Sequence, residues 1–472
     1  MFSKAKKFTQ DFSYSFFYNI FSMIVSGVLI LLLPKVIGLA EYGYWQLYVL
    51  YCSYFNYLSF GLIEGVYLRY GGKEYSDLPK KLFTAQFWLL VIIEFIITIC
   101  FTSVYYNIAA DGNKIIVIFL VCLSTLISIP RGLLAYTLQA TGQIRKCISG
   151  YILERTVYFI LALIILLFSK KFELIIVSDI VGKLLSLLYL ISYCKDITFN
   201  KLPKTKELFS EIWDNIRAGS NLLLANLASV LIVGIIRLSI EKNWGIETFG
   251  KVSLTISISN MILSFFSAIS IVLFPMLRNV SEDSLTIIYK TIDIIITIAG
   301  LGLLLIYFPL KSILLIWIPN YIESLIYMGL IFPICIYESK MTLINNTYLK
   351  TLRKEKVLLN INIITVSLSI IISCINVIYI KNLNVMILTI VFLLAFRCII
   401  TEIYLAKLLK LSLFNDIVWE ILLSTMFILI AWNINGVSAF IIYLIIYLLY
   451  LVFKRKDIYS SYMYIKRKLI KV

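Results

Sequence analysis

The stretch Gly38-Leu39-Ala40-Glu41-Tyr42-Gly43 ends one long apolar run and leads at once into a second. About two hundred residues later, Gly245-Ile246-Glu247-Thr248-Phe249-Gly250 repeats its pattern of glycine, an aliphatic residue, two variable positions, an aromatic residue and glycine. An inexact repeat that contains several apolar runs is typical of transporters built from two related helical lobes, with the substrate path between them. We therefore expect a duplicated, two-lobed membrane protein.

The composition of the chain is that of a protein surrounded by lipid. Of its 472 residues, 61% are hydrophobic and 15% are charged, and its mean hydropathy is +0.94. Apolar runs of about 20 residues follow one another between short polar breaks, and each is long enough to cross roughly 30 Å of hydrocarbon as a helix. The predicted fold class is therefore an all-α polytopic membrane protein.

The apolar runs predict about 14 transmembrane helices, arranged as two pseudo-symmetric six-helix bundles plus two C-terminal helices. Their expected ranges are 14–38, 44–67, 83–106, 115–140, 148–168, 174–194, 219–240, 252–275, 290–309, 324–347, 357–380, 384–405, 416–433 and 436–453. The chain then divides into an N-lobe (1–197), a cytoplasmic linker (198–218), a C-lobe (219–410), the last two spans (411–453) and a basic tail (454–472).

The charged loops predict the orientation of the chain. If the N-terminus is cytoplasmic, the loops on that side carry roughly four times as many lysines and arginines as the opposite loops, as the positive-inside rule requires. We therefore expect a multi-pass protein of the cell (cytoplasmic) membrane with both termini in the cytoplasm. Orientation and attraction to anionic lipid headgroups account for the net charge of +17. Because the charges are dispersed over many loops, nucleic-acid binding is not expected.

The linker between the predicted lobes has an amphipathic pattern. A helix there places five apolar side chains on one face, namely Leu208, Phe209, Ile212, Trp213 and Ile216. The linker is therefore predicted to lie on the membrane surface, and the basic, tyrosine-rich tail is expected to lie there too.

Further correspondences support the duplication, because the fourth predicted span of each half contains a proline, Pro130 or Pro333. Proline inside a span frees a backbone carbonyl and bends the helix, which suits a segment that lines a cavity of changing shape. With these features the chain resembles the Wzx-like polysaccharide flippases of the multidrug/oligosaccharidyl-lipid/polysaccharide exporter (MOP) superfamily. The likeness covers about residues 10 to 410, and the residues that carry it are Pro34, Gly38, Tyr42, Gly43, Gly245, Phe249, Gly250, Pro275, Trp317, Tyr321 and Ser324.

The resemblance implies a transport function rather than an enzymatic one. It implies that the chain moves an undecaprenyl-pyrophosphate-linked oligosaccharide, such as an O-antigen or lipopolysaccharide repeat unit, from the cytoplasmic to the outer leaflet by alternating access, for surface polysaccharide biosynthesis. The implied partners are this lipid-linked substrate, membrane lipids and other polysaccharide-assembly proteins.

Basic residues within the spans are the predicted substrate contacts. A cation at the bilayer centre costs on the order of 2.5 to 3.5 kcal/mol, so it should face a wet cavity or a partner. A lipid-linked pyrophosphate carries negative charge through the same region, and guanidinium groups bind phosphate with two parallel hydrogen bonds. We expect the deeper cations to form a cationic cavity shared by both lobes; these are Arg131, Arg397, Lys340 and Lys183.

Each of these assignments has a structural alternative. Lys35 and Arg237 are further substrate candidates, but they lie near span ends and could, like Arg155, simply extend to the interface. Lys183 has Asp179 four residues earlier on the same helical face, which allows an ion pair.

Ion coupling requires a carboxylate, since the chain contains no histidine. Glu94, near the middle of the third span, is the main candidate for exchanging protons or holding Na⁺, and Asp179 is a second candidate. Alternatively, Glu94 is a hydrogen-bonded packing residue. Asp293, Glu338 and Glu64 are weaker candidates, because each has a nearby base or lies near a span end.

Other functions remain open at this point. The eight cysteines are scattered singly, so no metal or other cofactor is expected. The alternatives are a drug/cation antiporter of the same fold, a membrane polysaccharide polymerase or ligase, and a flippase for a peptidoglycan precursor or a teichoic-acid unit. A carboxylate-dominated cavity would favour the antiporter, whereas a polymerase or ligase would be expected to carry a sizeable outer loop.

Overall fold

The chain folds into helices along almost its whole length, as a computed structural model shows for residues 2–108, 111–202, 205–278 and 282–469. No β-strand occurs within these ranges. The predicted all-α class is therefore confirmed. By its internal contacts the chain divides into two compact units, Met1–Val230 and Leu231–Val472.

The first unit begins with seven long or medium helices and one short helix. These are α1 (Phe2–Val36), α2 (Leu39–Phe55), α3 (Leu62–Tyr70), α4 (Lys80–Ile108), α5 (Gly112–Ala140), α6 (Ile144–Phe168), α7 (Phe172–Tyr193) and α8 (Lys195–Thr198), with 3₁₀ turns at Asn56–Ser59 and Tyr75–Asp77. The unit ends within α9 (Thr205–Arg278).

The second unit takes the rest of α9 and ten further helices. These are α10 (Glu282–Leu303), α11 (Tyr307–Trp317), α12 (Ile322–Ile331), α13 (Ile334–Lys340), α14 (Asn346–Thr351), α15 (Glu355–Ile375), α16 (Leu383–Leu408), α17 (Phe414–Asn433), α18 (Val437–Phe453) and α19 (Arg455–Leu469). Short 3₁₀ or π segments join some of them, at Leu304–Ile306, Pro319–Tyr321, Met341–Asn345 and Asn376–Ile380.

Local sequence signals explain several helix starts. Asp111 precedes α5 and its side chain accepts a hydrogen bond from the backbone N–H of Asn113 at 3.0 Å. Asn382 precedes α16 and accepts from the N–H of Asn384 at 2.9 Å in the same way. Such caps satisfy backbone donors that the first turn of a helix leaves without partners.

Ten helices among the described residues are long and apolar enough to cross a membrane, or up to twelve if each of two bent pairs is one span. One of the ten, Leu208–Leu263, contains the predicted span 219–240 and the first part of the predicted span 252–275. The predicted span at 44–67 corresponds to α2, a 3₁₀ turn and α3. Large side chains such as Leu167 and Phe168 are at least 80% exposed, as lipid-facing residues are.

The repeated glycine motif marks a break between consecutive helices in both units. In the first unit Gly38 precedes α2 with φ −68° and ψ 163°. In the second unit Gly245 interrupts α9 with φ 85° and ψ 170°, a backbone conformation that only glycine adopts readily. The aromatic residue of each motif, Tyr42 or Phe249, is fully buried. The sequence repeat therefore corresponds to a repeated structural break.

The two prolines predicted to bend the fourth spans differ in effect. Pro333 lies at the junction of α12 and α13, where the paired helices Pro319–Ile331 and Ile334–Thr351 meet at 49°. Pro130 lies inside α5, which continues as one helix to Ala140.

The predicted amphipathic linker is the beginning of α9. Ile212 is buried, and Leu208 and Ile216 pack against the apolar core of the first unit. Phe209 and Trp213 are each 67% exposed. The five apolar residues thus divide between the protein core and the surroundings, and the prediction that this segment contacts the membrane surface stays a prediction.

Candidate functional site

Arg131 meets a carboxylate within the first unit. It follows Pro130 on α5, and its guanidinium forms an ion pair with Glu154 on α6. The side chains of the two residues are 12% and 8% exposed. The guanidinium also lies over the Tyr151 ring, 5.1 Å from its centroid. Glu154 was missed in the sequence, because it lies near the start of a predicted span like an interfacial carboxylate.

Lys183 and Asp179 form a second buried group in the first unit. The Lys183 Nζ atom lies 2.6 Å from Asp179 Oδ2, so the pair that their spacing allowed is present. Tyr48 on α2 donates a hydrogen bond to the same carboxylate at 2.6 Å. Lys183 also donates to Ser124 on α5 at 2.8 Å. The group therefore links α2, α5 and α7.

Glu94 lies on α4 and its side chain is fully buried. Neither of its carboxylate oxygens has a hydrogen-bond partner within the described part of the chain. The described structure therefore does not support the alternative that Glu94 is a hydrogen-bonded packing residue. A buried carboxyl of this kind is more stable protonated than ionised, as an exchangeable proton site requires.

Three further cations, Lys35, Arg237 and Arg397, have different surroundings. Lys35 is exposed in the last turn of α1. Arg237 donates to the Ser253 hydroxyl at 2.9 Å and lies over the Phe249 ring of the glycine motif, 5.2 Å from its centroid. Arg397 is buried on α16 and its Nη1 lies 3.5 Å from Glu338 Oε1.

Lys340 lies at the centre of a buried acidic cluster in the second unit. Its Nζ atom is 3.0 Å from Asp293 Oδ1, 2.6 Å from Glu402 Oε1 and 2.7 Å from Glu420 Oε2. All four side chains are at most 2% exposed. The charge around Lys340 is therefore opposite in sign to the cationic cavity expected there.

Two of these carboxylates, Glu402 and Glu420, were not identified from the sequence. Both lie a few residues inside the ends of predicted spans, where a carboxylate usually reaches water. Within the described ranges, no group of three or more His, Cys, Asp or Glu residues is arranged to hold a metal ion.

Within each unit, the predicted substrate cations lie in local groups of side chains. Arg131 and Lys183 belong to the first unit, and Arg237, Lys340 and Arg397 to the second. Four of these five have a carboxylate partner. A shared cationic cavity stays a prediction.

Comparisons with known proteins agree on the fold. No family model and no curated protein matches the sequence. Among solved structures, the chain matches the lipid II flippase MurJ in an inward closed conformation, with a TM-score of 0.67, 14% identity, and coverage of 94% of this chain and 99% of that one.

Other matches are multidrug and related transporters. An inward-facing multidrug resistance MATE family transporter of the MOP superfamily matches with a TM-score of 0.59 and 13% identity over 87% of this chain and 98% of that one. A MOP superfamily transporter from Pyrococcus furiosus matches with a TM-score of 0.53 and 13% identity over 85% and 95%. The chain is therefore a multi-pass membrane protein with the fold of MOP superfamily transporters.

Proposed function

We propose that the protein is a flippase for oligosaccharide units linked to a polyprenyl pyrophosphate. It would bind the glycolipid headgroup from the cytoplasmic leaflet of the cell membrane and release it to the outer leaflet by alternating access, for surface polysaccharide biosynthesis. Both termini would be cytoplasmic.

The observation that carries this proposal is the extent of the structural match. The match to the lipid II flippase takes in 94% of the chain, whereas the matches to the multidrug and Pyrococcus transporters take in 87% and 85%. The longer match supports a glycolipid substrate over a drug, since lipid II is itself a lipid-linked saccharide. The prolines and glycine motifs that resemble polysaccharide flippases support the same substrate class.

Arg131 is the proposed contact for the pyrophosphate. A guanidinium that is paired with a carboxylate can exchange that partner for a phosphate oxygen, because both accept the same pair of parallel hydrogen bonds. Tyr151, which stacks on the guanidinium, holds the planar group in a fixed orientation. Further proposed contacts are Arg397, Lys183, Arg237 and Lys35. Three carboxylates surround Lys340, so it is not among the proposed contacts, and its binding to substrate stays a prediction.

Glu94 is the proposed ion-coupling group, with Asp179 as the second candidate. A fully buried carboxyl without a hydrogen-bond partner gains most from a proton, which removes its charge without needing space. Asp179 already has Lys183 and Tyr48 as partners, so its charge is compensated in this conformation. Glu94 is therefore the better candidate than Asp179 for the residue that couples transport to H⁺.

The proposal is tested by a translocation assay in proteoliposomes. The full chain is reconstituted with a fluorescent polyprenyl-pyrophosphate-linked oligosaccharide, and transfer between leaflets is followed with a membrane-impermeant quencher. We expect transfer well above that in protein-free liposomes. Transfer at the protein-free rate, with the chain folded and inserted, would exclude the flippase function.

Two further arms separate the alternatives. A lipophilic fluorescent cation replaces the glycolipid in parallel liposomes, and movement of that cation without movement of the glycolipid would identify a drug/cation antiporter. The double variant Arg131→Ala/Arg397→Ala should lose glycolipid transfer, whereas Arg217→Ala, which alters an exposed arginine near the beginning of α9, should retain it. Glu94→Gln should abolish the response of transfer to an imposed pH gradient.

A further inference from the structure

The acidic cluster around Lys340 brings together residues that are far apart in sequence. Asp293 comes from α10, Lys340 from α13, Glu402 from α16 and Glu420 from α17. An oxygen atom of each carboxylate lies within 3.0 Å of the single ammonium nitrogen. The lysine is completely buried, so water does not share in neutralising these charges.

The formal charges of the cluster do not balance. One ammonium faces three carboxylates, which leaves two uncompensated negative charges if all three are ionised. Among the described residues, two further charged groups face the cluster, Asp416 and Lys454, and they form an ion pair with each other. Four titratable neighbours in the described part of the chain are neutral in their ordinary forms, namely Cys398, Tyr289, Tyr337 and Tyr450.

Uncompensated charge cannot persist in such surroundings. Burying an isolated ionised carboxylate is so unfavourable that the group takes up a proton instead. Lys340 Nζ already occupies the position among the carboxylates where a metal ion would be coordinated. A proton removes the same charge and needs no vacant volume.

Hydrogen bonding within the cluster also leaves room for protons. Glu420 accepts from Lys340 through Oε2 at 2.7 Å, but its buried Oε1 has no hydrogen-bond partner in the described structure. Glu402 accepts from Lys340 and, weakly, from the Cys398 thiol at 3.4 Å, both through Oε1. The Glu420 oxygen that lacks a donor is a position that a carboxylic acid proton would occupy.

We propose that the Lys340 cluster is a proton-binding site that holds two protons at neutral pH. One carboxylate stays ionised and pairs with the ammonium, and the other two are carboxylic acids. Binding converts three carboxylates and two protons from water into one carboxylate and two acids, with the lysine charge unchanged. This site goes beyond the proposed function and does not depend on the identity of the transported substrate.

The proposal makes proton release conditional on a structural change. Loss of either proton would leave net negative charge among fully buried groups. Release therefore requires water or another cation to enter, or Lys340 and a carboxylate to separate. The site stabilises the packing of α10, α13, α16 and α17 only while both protons are bound.

The test uses infrared spectroscopy of the full chain in lipid, because protonated carboxyl groups have a carbonyl stretching band that carboxylates lack. Spectra are recorded at neutral pH for the natural protein and for Asp293→Asn, Glu402→Gln and Glu420→Gln. Each of the three variants should lower the area of this band, because the two carboxyl groups that remain beside Lys340 then hold one proton between them instead of two. Glu338→Gln, which removes a carboxylate outside the cluster, serves as the matched control and should leave the band unchanged.

Thermal stability provides the second measurement. An amide in place of an acid should change the unfolding midpoint little, because the acid is already neutral. Lys340→Met should lower the midpoint by on the order of 10 °C, since it removes the only cation of the cluster. A band that is the same in the natural protein and in all three cluster variants would overturn the proposal, whatever their stability.

Discussion

A guanidinium inside an apolar bundle is stable only where a counter-ion reaches it, and Arg131 meets Glu154 from the next helix. Each of the two side chains is nearly buried, so neither can recover full hydration if the other is removed. The same reasoning applies to Arg397 with Glu338 and to Lys183 with Asp179. Most of the predicted substrate cations therefore also form ion pairs with carboxylates of the protein itself.

Removing one member of such a pair should be worse than removing both. We expect Glu154→Gln to lower the free energy of unfolding by roughly 3 kcal/mol, because it leaves the Arg131 charge buried without its carboxylate. The double variant Arg131→Met/Glu154→Gln should lose less. Denaturant unfolding in detergent micelles, read as a double-mutant cycle, measures the difference. Equal losses from the single and double variants would contradict the idea that the unpaired Arg131 charge causes the loss.

The sequence allowed only part of this residue-level arrangement to be predicted. The Asp179–Lys183 pair could be predicted, because residues four positions apart on one helix are neighbours on its surface. The partners of Arg131 and Lys340 could not, because they depend on which faces of separate helices meet. Glu154, Glu402 and Glu420 lie near the ends of predicted spans, so each resembled an ordinary interfacial carboxylate.

Close backbone contact joins the beginning of α9 to α3 in the first unit. A Cβ atom added to Gly65 would lie 1.9 Å from the Asn215 carbonyl oxygen, and one added to Gly219 would lie 2.0 Å from that of Gly61. This approach places Arg69 against Glu211, with 2.7 Å between Nη1 and Oε1. The two helices are therefore held by glycine packing and by charge together.

Either glycine should be intolerant of even one methyl group. We expect Gly65→Ala and Gly219→Ala each to destabilise the protein by about 2 to 4 kcal/mol, because the backbones must separate. Hydrogen exchange of residues 208–219 should increase at the same time. Gly112→Ala is the control, since nothing lies within 4 Å of its added Cβ. Unchanged exchange in both helix-contact variants would show that the approach is not tight.

The contact between α8 and α4 should depend on pH. Burial raises the pKa of Asp196, but hydrogen bonds from Lys80 and Tyr75 outweigh it and hold the pKa below its ordinary value. The ionised form is thus favoured in the folded protein, and the stabilisation is present above the unfolded pKa of about 4 and lost as pH falls through the folded value. Thermal unfolding is measured from pH 7 to pH 3, a range of about four units. The stability of Asp196→Asn should approach that of the natural protein as the pH falls. A stability difference that stays constant over this range would contradict the assignment.

The two units use one sequence motif to make one kind of structural break, and this could be predicted from the sequence as a repeat. What the pattern did not reveal is that the two copies differ in backbone conformation. Gly38 has a negative φ that any residue tolerates, whereas Gly245 has a φ of 85°. The backbone therefore requires glycine at the break in the second copy of the motif but not at the break in the first.

This difference gives a matched pair of variants. Gly245→Ala should destabilise the protein by roughly 1 to 3 kcal/mol, because its φ and ψ are strained for a residue with a side chain. Gly38→Ala should be close to neutral, since its φ is ordinary and nothing lies within 4 Å of the added Cβ. Thermal unfolding of both variants under the same conditions measures the contrast. Equal effects of the two substitutions would mean that the break in α9 does not require glycine.

The arrangement around Lys340 has a consequence for biogenesis. The ribosome adds Asp293 before the lysine, but Glu402 and Glu420 only afterwards, with Glu420 separated from the lysine by 80 positions. During translation, Asp293 is therefore the one carboxylate of the cluster available to the Lys340 ammonium until α16 and α17 have been inserted. Water can therefore be fully excluded from around this lysine only after α17 has been synthesised and packed.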